Sequence, residues 1–189
     1  ASGTLEPWHT VDIGPEISGR VRAVHADYND RVVQGQVLVE LDTELLRAQV
    51  QQAESQVALA AASVVQARVN RDEASVTLGR TEPLARMDVA TPAELDTATS
   101  ALQRATAALA AAEAQARAAR ASLSVARTSL AKATIRSPID GVVLSRSVDE
   151  GQTVVSALQA PVLFRLAEDL GRMGLVVDVD EADIGRVRN

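Results

Sequence analysis

Apolar residues recur along this chain with two different periods. From Glu44 to about Arg86 they fall at alternating steps of four and three through Leu46, Val50, Ala53, Val57, Ala60, Val64, Ala67, Ala74 and Leu78, with Arg71 the one charged intruder. A second run is stricter, through Leu95, Ala98, Leu102, Ala105, Leu109, Ala112, Ala116, Ala119, Leu123, Ala126, Leu130 and Ala133. Such steps keep one stripe of a helix facing a partner, so both runs are predicted as coiled-coil helices, each roughly 60 Å long at 1.5 Å per residue. Outside them short apolar runs alternate or cluster between turn residues, as at Val37-Leu38-Val39-Glu40-Leu41 and Val162-Leu163-Phe164-Arg165-Leu166, and are predicted as strands.

Folding the two helices back on one another about Asp88 sets large side chains against small ones. Leu78 meets Ala98, Ala74 meets Leu102, Ala67 meets Leu109, Val64 meets Ala112, Val57 meets Ala119, Ala53 meets Leu123 and Val50 meets Ala126. Layers of nearly constant volume pack without voids, which favours an antiparallel hairpin within one chain over helices that pack on other chains. Arg71, opposite Ala105, can extend its guanidinium past the small residue to water. Stop and start signals flank the fold point. Gly79 and Pro83 weaken the first helix near its end, and Thr91-Pro92-Ala93-Glu94 is a capping box with proline at the first helical position. Loss of the Thr91 cap costs on the order of 1 kcal/mol.

The strand-forming segments on either side repeat one another. Ile17-Ser18-Gly19-Arg20-Val21 matches Ile139-Asp140-Gly141-Val142-Val143, about 120 residues later, and the same offset aligns Asp27 with Asp149, Asn29 with Gly151 and Val32 with Val154. Asn29 and Gly151 occupy equivalent turns and both tolerate a left-handed backbone. The last strand of the second half falls three places further on, because Ala157-Leu158-Gln159-Ala160 lengthens its loop. One small β-domain is thus predicted to be cut in two, with a helical rod inserted at the cut.

Composition narrows the functions available. Of 189 residues 47% are hydrophobic, yet there is one Trp, one Tyr and one Phe, so alanine supplies the apolar count and a thick single core is not expected. A net charge of −6 disfavours nucleic-acid binding, which draws its affinity from Lys and Arg on phosphates. No cysteine is present, which excludes disulfides, thiol catalysis and cysteine-held metals. His9 and His25 are the only histidines, and His25-Ala26-Asp27 reads as strand followed by turn, not as a catalytic pair. No catalytic, cofactor-binding or metal-binding residue is therefore assigned, and no membrane span is read. The sequence enters strand-like residues directly and does not begin with Met, so a removed signal or anchor is expected before it, as is a continuation after the strand-like Met173–Val179 and the helix cap at Asp180–Asp183.

The paired β-halves resemble biotinyl and lipoyl carrier domains over about sixty residues. They depart from them where it matters, because carriers present a modified lysine between the halves and the one lysine here, Lys132, lies near the end of the second helix. A lipoyl-like domain split by a long hairpin, with Ser137-Pro138-Ile139-Asp140-Gly141-Val142-Val143, Gly151-Gln152-Thr153-Val154 and Val179-Asp180-Glu181-Ala182-Asp183, resembles the periplasmic adaptor family, also called membrane fusion or HlyD-like proteins. Within it the chain is most similar to adaptors of macrolide exporters and of resistance-nodulation-division (RND) pumps.

The resemblance implies an α+β architecture of three parts: a lipoyl-like sandwich from residues 17–42 and 134–167, a hairpin over 43–133 with its tip near 84–91, and fragments of a β-barrel domain in 1–16 and 168–189. It implies a non-enzymatic protein without cofactor, located in the periplasm and anchored to the inner membrane. Its partners would be an inner-membrane transporter, of the ABC type by preference over the RND type, a TolC-like outer-membrane channel, and further copies of itself in a trimer or hexamer. Arg80, Leu84 and Thr91 fit the family's channel-docking pattern of Arg, Leu and Ser, with Thr in place of Ser. Gln159 is the candidate gate of the lipoyl ring. The competing expectations are a carrier-type enzyme subunit and a purely structural coiled-coil tether.

Overall fold

In chain order the strands are β1 (Ser2–Pro7), β2 (Thr10–Ile13), β3 (Gly19–Val24), β4 (Arg31–Val32) and β5 (Val37–Leu41), then helices α1 (Glu44–Arg86) and α2 (Pro92–Lys132), then β6 (Thr134–Arg136), β7 (Gly141–Arg146), β8 (Thr153–Val154), β9 (Phe164–Ala167) and β10 (Met173–Asp178). This computed structural model describes residues 2–156, 161–169, 171 and 173–178. It separates into two units, Ala1–Thr43 with Ala131–Asn189, and Glu44–Leu130. None of the described helices is long and apolar enough to cross a membrane.

The first unit contains two four-stranded sheets, ordered β2-β9-β7-β4 and β6-β5-β3-β8, and a separate β1-β10 ribbon. The two orders are the same pattern once β2 is equated with β6, β9 with β5, β7 with β3 and β4 with β8. Each sheet draws its central antiparallel pair from one half of the chain and both flanking strands from the other. The halves are therefore interlocked, and the repeat seen in the sequence is a repeat in three dimensions.

Matching positions in the two halves are buried together. Val21 and Val143, Val32 and Val154, Leu38 and Leu163, Val39 and Phe164, Leu41 and Leu166, and Ile13 and Ile135 are all inaccessible or nearly so. Each such side chain contributes about 1.5–3 kcal/mol relative to exposure. The turns repeat as well. Asn29 N–H donates to the Val143 carbonyl and Gly151 N–H to the Val21 carbonyl, both at 2.9 Å, so each turn is fastened to a strand of the opposite half. Asn29 (φ 68°) and Gly151 (φ 83°) both take the left-handed backbone expected of them.

One ion-pair cluster breaks the symmetry. Arg146, whose counterpart in the first half is Val24, contacts Asp27 through Nε at 3.0 Å and the equivalent Asp149 through Nη1 at 2.9 Å, and Nη1 also donates to the Val148 carbonyl at 2.7 Å. The Tyr28 amide, and after it the Arg146 charge, hold the Asp27 carboxyl below its ordinary 3.8.

The expected boundary at residue 16 is corrected at one place. Thr10–Ile13 do not belong with barrel fragments but pair with Phe164–Ala167 at the edge of a sandwich sheet, because Ile13 has its own place in the core, equivalent to that of Ile135. The second-half strand begins at Phe164 instead of Val162. Ala133 lies beyond α2, fully buried, and its carbonyl accepts the Leu41 amide at 2.9 Å.

In the second unit every α1 seam position from Leu46 to Leu78 is partly or fully buried, while the residues between them are exposed. Ala60, Ala116 and Ala119 form a buried cluster with Val57 and Val64 packed on it, which is the expected antiparallel register. Glu54 and Arg127 bridge the two helices at 2.7 Å. The Arg71 side chain remains 39% exposed; its Nε is enclosed and lies 3.1 Å from Asp72 Oδ1 without a hydrogen bond. The guanidinium reaches outward as anticipated, but at the cost of one enclosed donor.

A methyl group at Gly141 would lie 2.2 Å from the Ala167 carbonyl oxygen, whereas one at the equivalent Gly19 would lie 3.4 Å from the movable Leu41 Cδ1. Gly141→Ala is expected to destabilise the protein by about 1–3 kcal/mol, and Gly19→Ala by clearly less. Urea unfolding of the two variants checks this ordering.

Candidate functional site

The hairpin tip is built from three local devices. The first is a helix stop. Asp88 takes a left-handed backbone (φ 55°), its N–H donates to the Ala85 carbonyl at 3.1 Å, and the Val89 N–H donates to the Leu84 carbonyl at 2.9 Å. This is a Schellman closure with aspartate where glycine is usual, tolerable because aspartate enters the left-handed region more readily than most residues. The Leu84 carbonyl also receives the Met87 and Ala90 amides at 3.2 Å. One carbonyl thus gathers the whole turn.

The second device is the capping box. Glu94 Oε2 accepts from the Thr91 amide at 2.7 Å and from Thr91 Oγ1 at 2.9 Å, and the Glu94 amide donates back to Thr91 Oγ1 at 3.3 Å. The Thr91 amide, and then its hydroxyl, stabilise the carboxylate and lower the Glu94 pKa below the usual 4.5. Third, Arg86 and Glu82 pair at 2.6 Å one turn apart on the last turn of α1.

These devices leave a mixed surface. Leu84 is 44% exposed, Met87 71% and Val89 69%, three apolar side chains within six residues. Arg80 lies one turn before Leu84, so both occupy one face of α1. It is exposed and makes no ion pair among the described residues. Thr91 is an exposed N-cap, and the Leu84 carbonyl bonds to the Ala90 amide immediately before it. Leu84 and Thr91 are therefore joined through one closed turn, with Arg80 one helical turn before it on α1. Gln159 lies outside the described residues, as do Val179–Asp183.

Asp88 was legible only as a fold point, although aspartate at a helix end is itself a signal for a left-handed stop. Arg146 was not singled out at all. The mismatch between Arg146 and Val24 in an otherwise regular repeat could have drawn attention to it.

A family model described as RND MFP, barrel-sandwich hybrid domain, matches residues 9–165. The chain belongs to this family. The match takes in both β-halves and the hairpin between them, and its start at residue 9 agrees with the place of β2 in the sandwich. Among relatives, the macrolide export protein MacA of Yersinia pestis is 34% identical over 184 residues, covering 97% of this chain and 49% of that protein. The pyoverdine export membrane fusion protein PvdR of Pseudomonas putida is 38% identical over 188 residues, covering 100% of this chain and 48% of that protein. The crystal structure of MacA from Actinobacillus actinomycetemcomitans superposes with a TM-score of 0.88 at 28% identity, covering 98% of this chain and 57% of that one. The chain spans about half the length of the curated relatives it matches.

The lowered Glu94 pKa makes the capping box of the membrane fusion protein's tip weaker in acid. A carboxyl with a depressed folded-state pKa stabilises the cap fully above the ordinary value of 4.5, and that contribution disappears as pH falls through the lower folded value. The Thr91 amide resonance is expected to shift on acidification in step with the Glu94 side chain. In Glu94→Gln that pH-dependent shift should be absent.

Proposed function

We propose that this chain is part of a periplasmic adaptor that links an inner-membrane transporter to an outer-membrane channel, for export or efflux. The observation that carries this reading is an exposed Leu84, flanked by Arg80, which makes no ion pair among the described residues, and by the capping Thr91, at the closed end of a hairpin in a membrane fusion protein. A leucine beside a charged donor makes a small amphipathic contact, too weak alone. Copies arranged in a ring multiply it, so trimeric or hexameric assembly belongs to the same reading.

The outer partner is a TolC-like channel that meets Arg80, Leu84 and Thr91. The inner partner is a transporter, with the ABC type favoured over the RND type on the Gln159 loop and the Val179–Asp183 segment. Gln159 would line the central opening of the lipoyl ring and gate it. The β1-β10 ribbon supplies strands to a barrel domain, and an inner-membrane anchor holds the protein in the periplasm. No bond is made or broken by the adaptor. Its work is to hold two membrane machines in register, and the exported molecule is chosen by the transporter; relatives are named for cargoes as different as macrolides and pyoverdine.

A cysteine at position 84 carrying a photoreactive cross-linker tests the reading in cells that hold the transporter and channel. A cross-link to the channel is expected, and Arg80→Glu should abolish it without lowering adaptor levels. Cross-links to other proteins only, or an unaffected signal in Arg80→Glu, would remove the docking role.

A further inference from the structure

The tip turn is firmly closed, yet the helix leading into it is weak at one place. Pro83 lies inside α1 and has no N–H, so the Gly79 carbonyl one turn earlier receives no helical hydrogen bond, and the proline ring crowds that same carbonyl. Gly79 stands at the opposite side of this gap, with nothing within 4 Å of the position where a Cβ would be. It therefore brings neither side-chain packing nor backbone restraint to the turn.

The surroundings on either side are stronger. Below the gap the seam runs from Leu46 to Leu78, with Arg71 its one charged member. Above it the Leu84 carbonyl and Asp88 tie residues 84–90 into one turn, and the capping box fixes the start of α2. Within α2, residues 92–132 contain neither glycine nor any proline after Pro92. The weakness is confined to one helix and one turn.

We infer that Gly79 and Pro83 form a pivot in α1, about which the closed tip tilts as a unit and so sets the direction of Leu84 relative to Arg80, which lies within the pivot. Gly79 and Pro83 are thus positioning residues, which act through the Leu84 side chain they orient. Such freedom lets one tip meet a channel surface without rearranging the seam behind it. This use rests on the adaptor reading, whereas the pivot itself is a property of the isolated chain and is tested there.

Spin labels at Val69 and Met87, both exposed and on either side of the pivot, report its motion by double electron–electron resonance. Labels at Ala107 and Val125, the same number of residues apart and both exposed on α2, provide the reference. The α1 pair is expected to give the broader distance distribution, and Gly79→Ala with Pro83→Ala should narrow it to the width of the α2 pair. Both changes favour helix and meet no clash, so the variant remains folded, and its circular dichroism checks that. Equal widths in the two pairs of the parent protein, or an unchanged width in the double variant, would overturn the pivot. Neither result bears on whether Leu84 cross-links to a channel, so the pivot and the docking role stand or fall separately.

Discussion

Strand exchange between the two halves of the chain is the constraint on which this structure depends. Neither half has four strands of its own that pair with one another: β4 and β2 lie against β7 and β9, while β8 and β6 lie against β3 and β5. Each flanking strand pairs with a strand of the other half, and the buried core positions come in matched pairs, one from each. A long insertion between β5 and β6 is tolerated because the loop-closure cost grows only slowly with length. That cost is lower still when the inserted residues bring their own ends together, as an antiparallel hairpin does.

The hairpin meets that requirement with small side chains. Alanine at Ala60, Ala116 and Ala119 lets the backbones approach, and Val57 and Val64 fill what remains, so a long seam forms without aromatic residues. Alanine also favours helix intrinsically. Small residues give little burial energy each, so length substitutes for bulk. Function then concentrates where the seam ends. The tip turn has no core beneath it, and its order comes from hydrogen bonds to the Leu84 carbonyl and between Thr91 and Glu94.

Much of this was legible in the residues. The steps of three and four fixed both helices and their register, because an antiparallel pairing of large with small has few alternatives. The repeat around Gly19 and Gly141 identified the halves, and Thr91 with Glu94 read correctly as a cap. What the pattern could not give was partnership between strands. Alternation marks Val37–Leu41 as a strand but says nothing of whether it pairs with β3 or β6, and Thr10–Ile13 is too short to reveal that it closes a sheet at Phe164–Ala167. The end of α1 was legible as well, since the run was expected to reach about Arg86 and does. Gly79 and Pro83 are helix breakers by propensity, yet the helix continues through both to Arg86, after which the bonds that gather at Leu84 close the turn.

The interlocked sandwich is tested most directly by cutting the hairpin between Asp88 and Val89 and separating the two fragments. Each fragment alone is predicted to lack the dispersed β-sheet amide resonances of Val21, Val32, Val143 and Val154, and mixing them in equal amounts should restore those resonances. A native-like sheet spectrum from either fragment by itself would contradict the account.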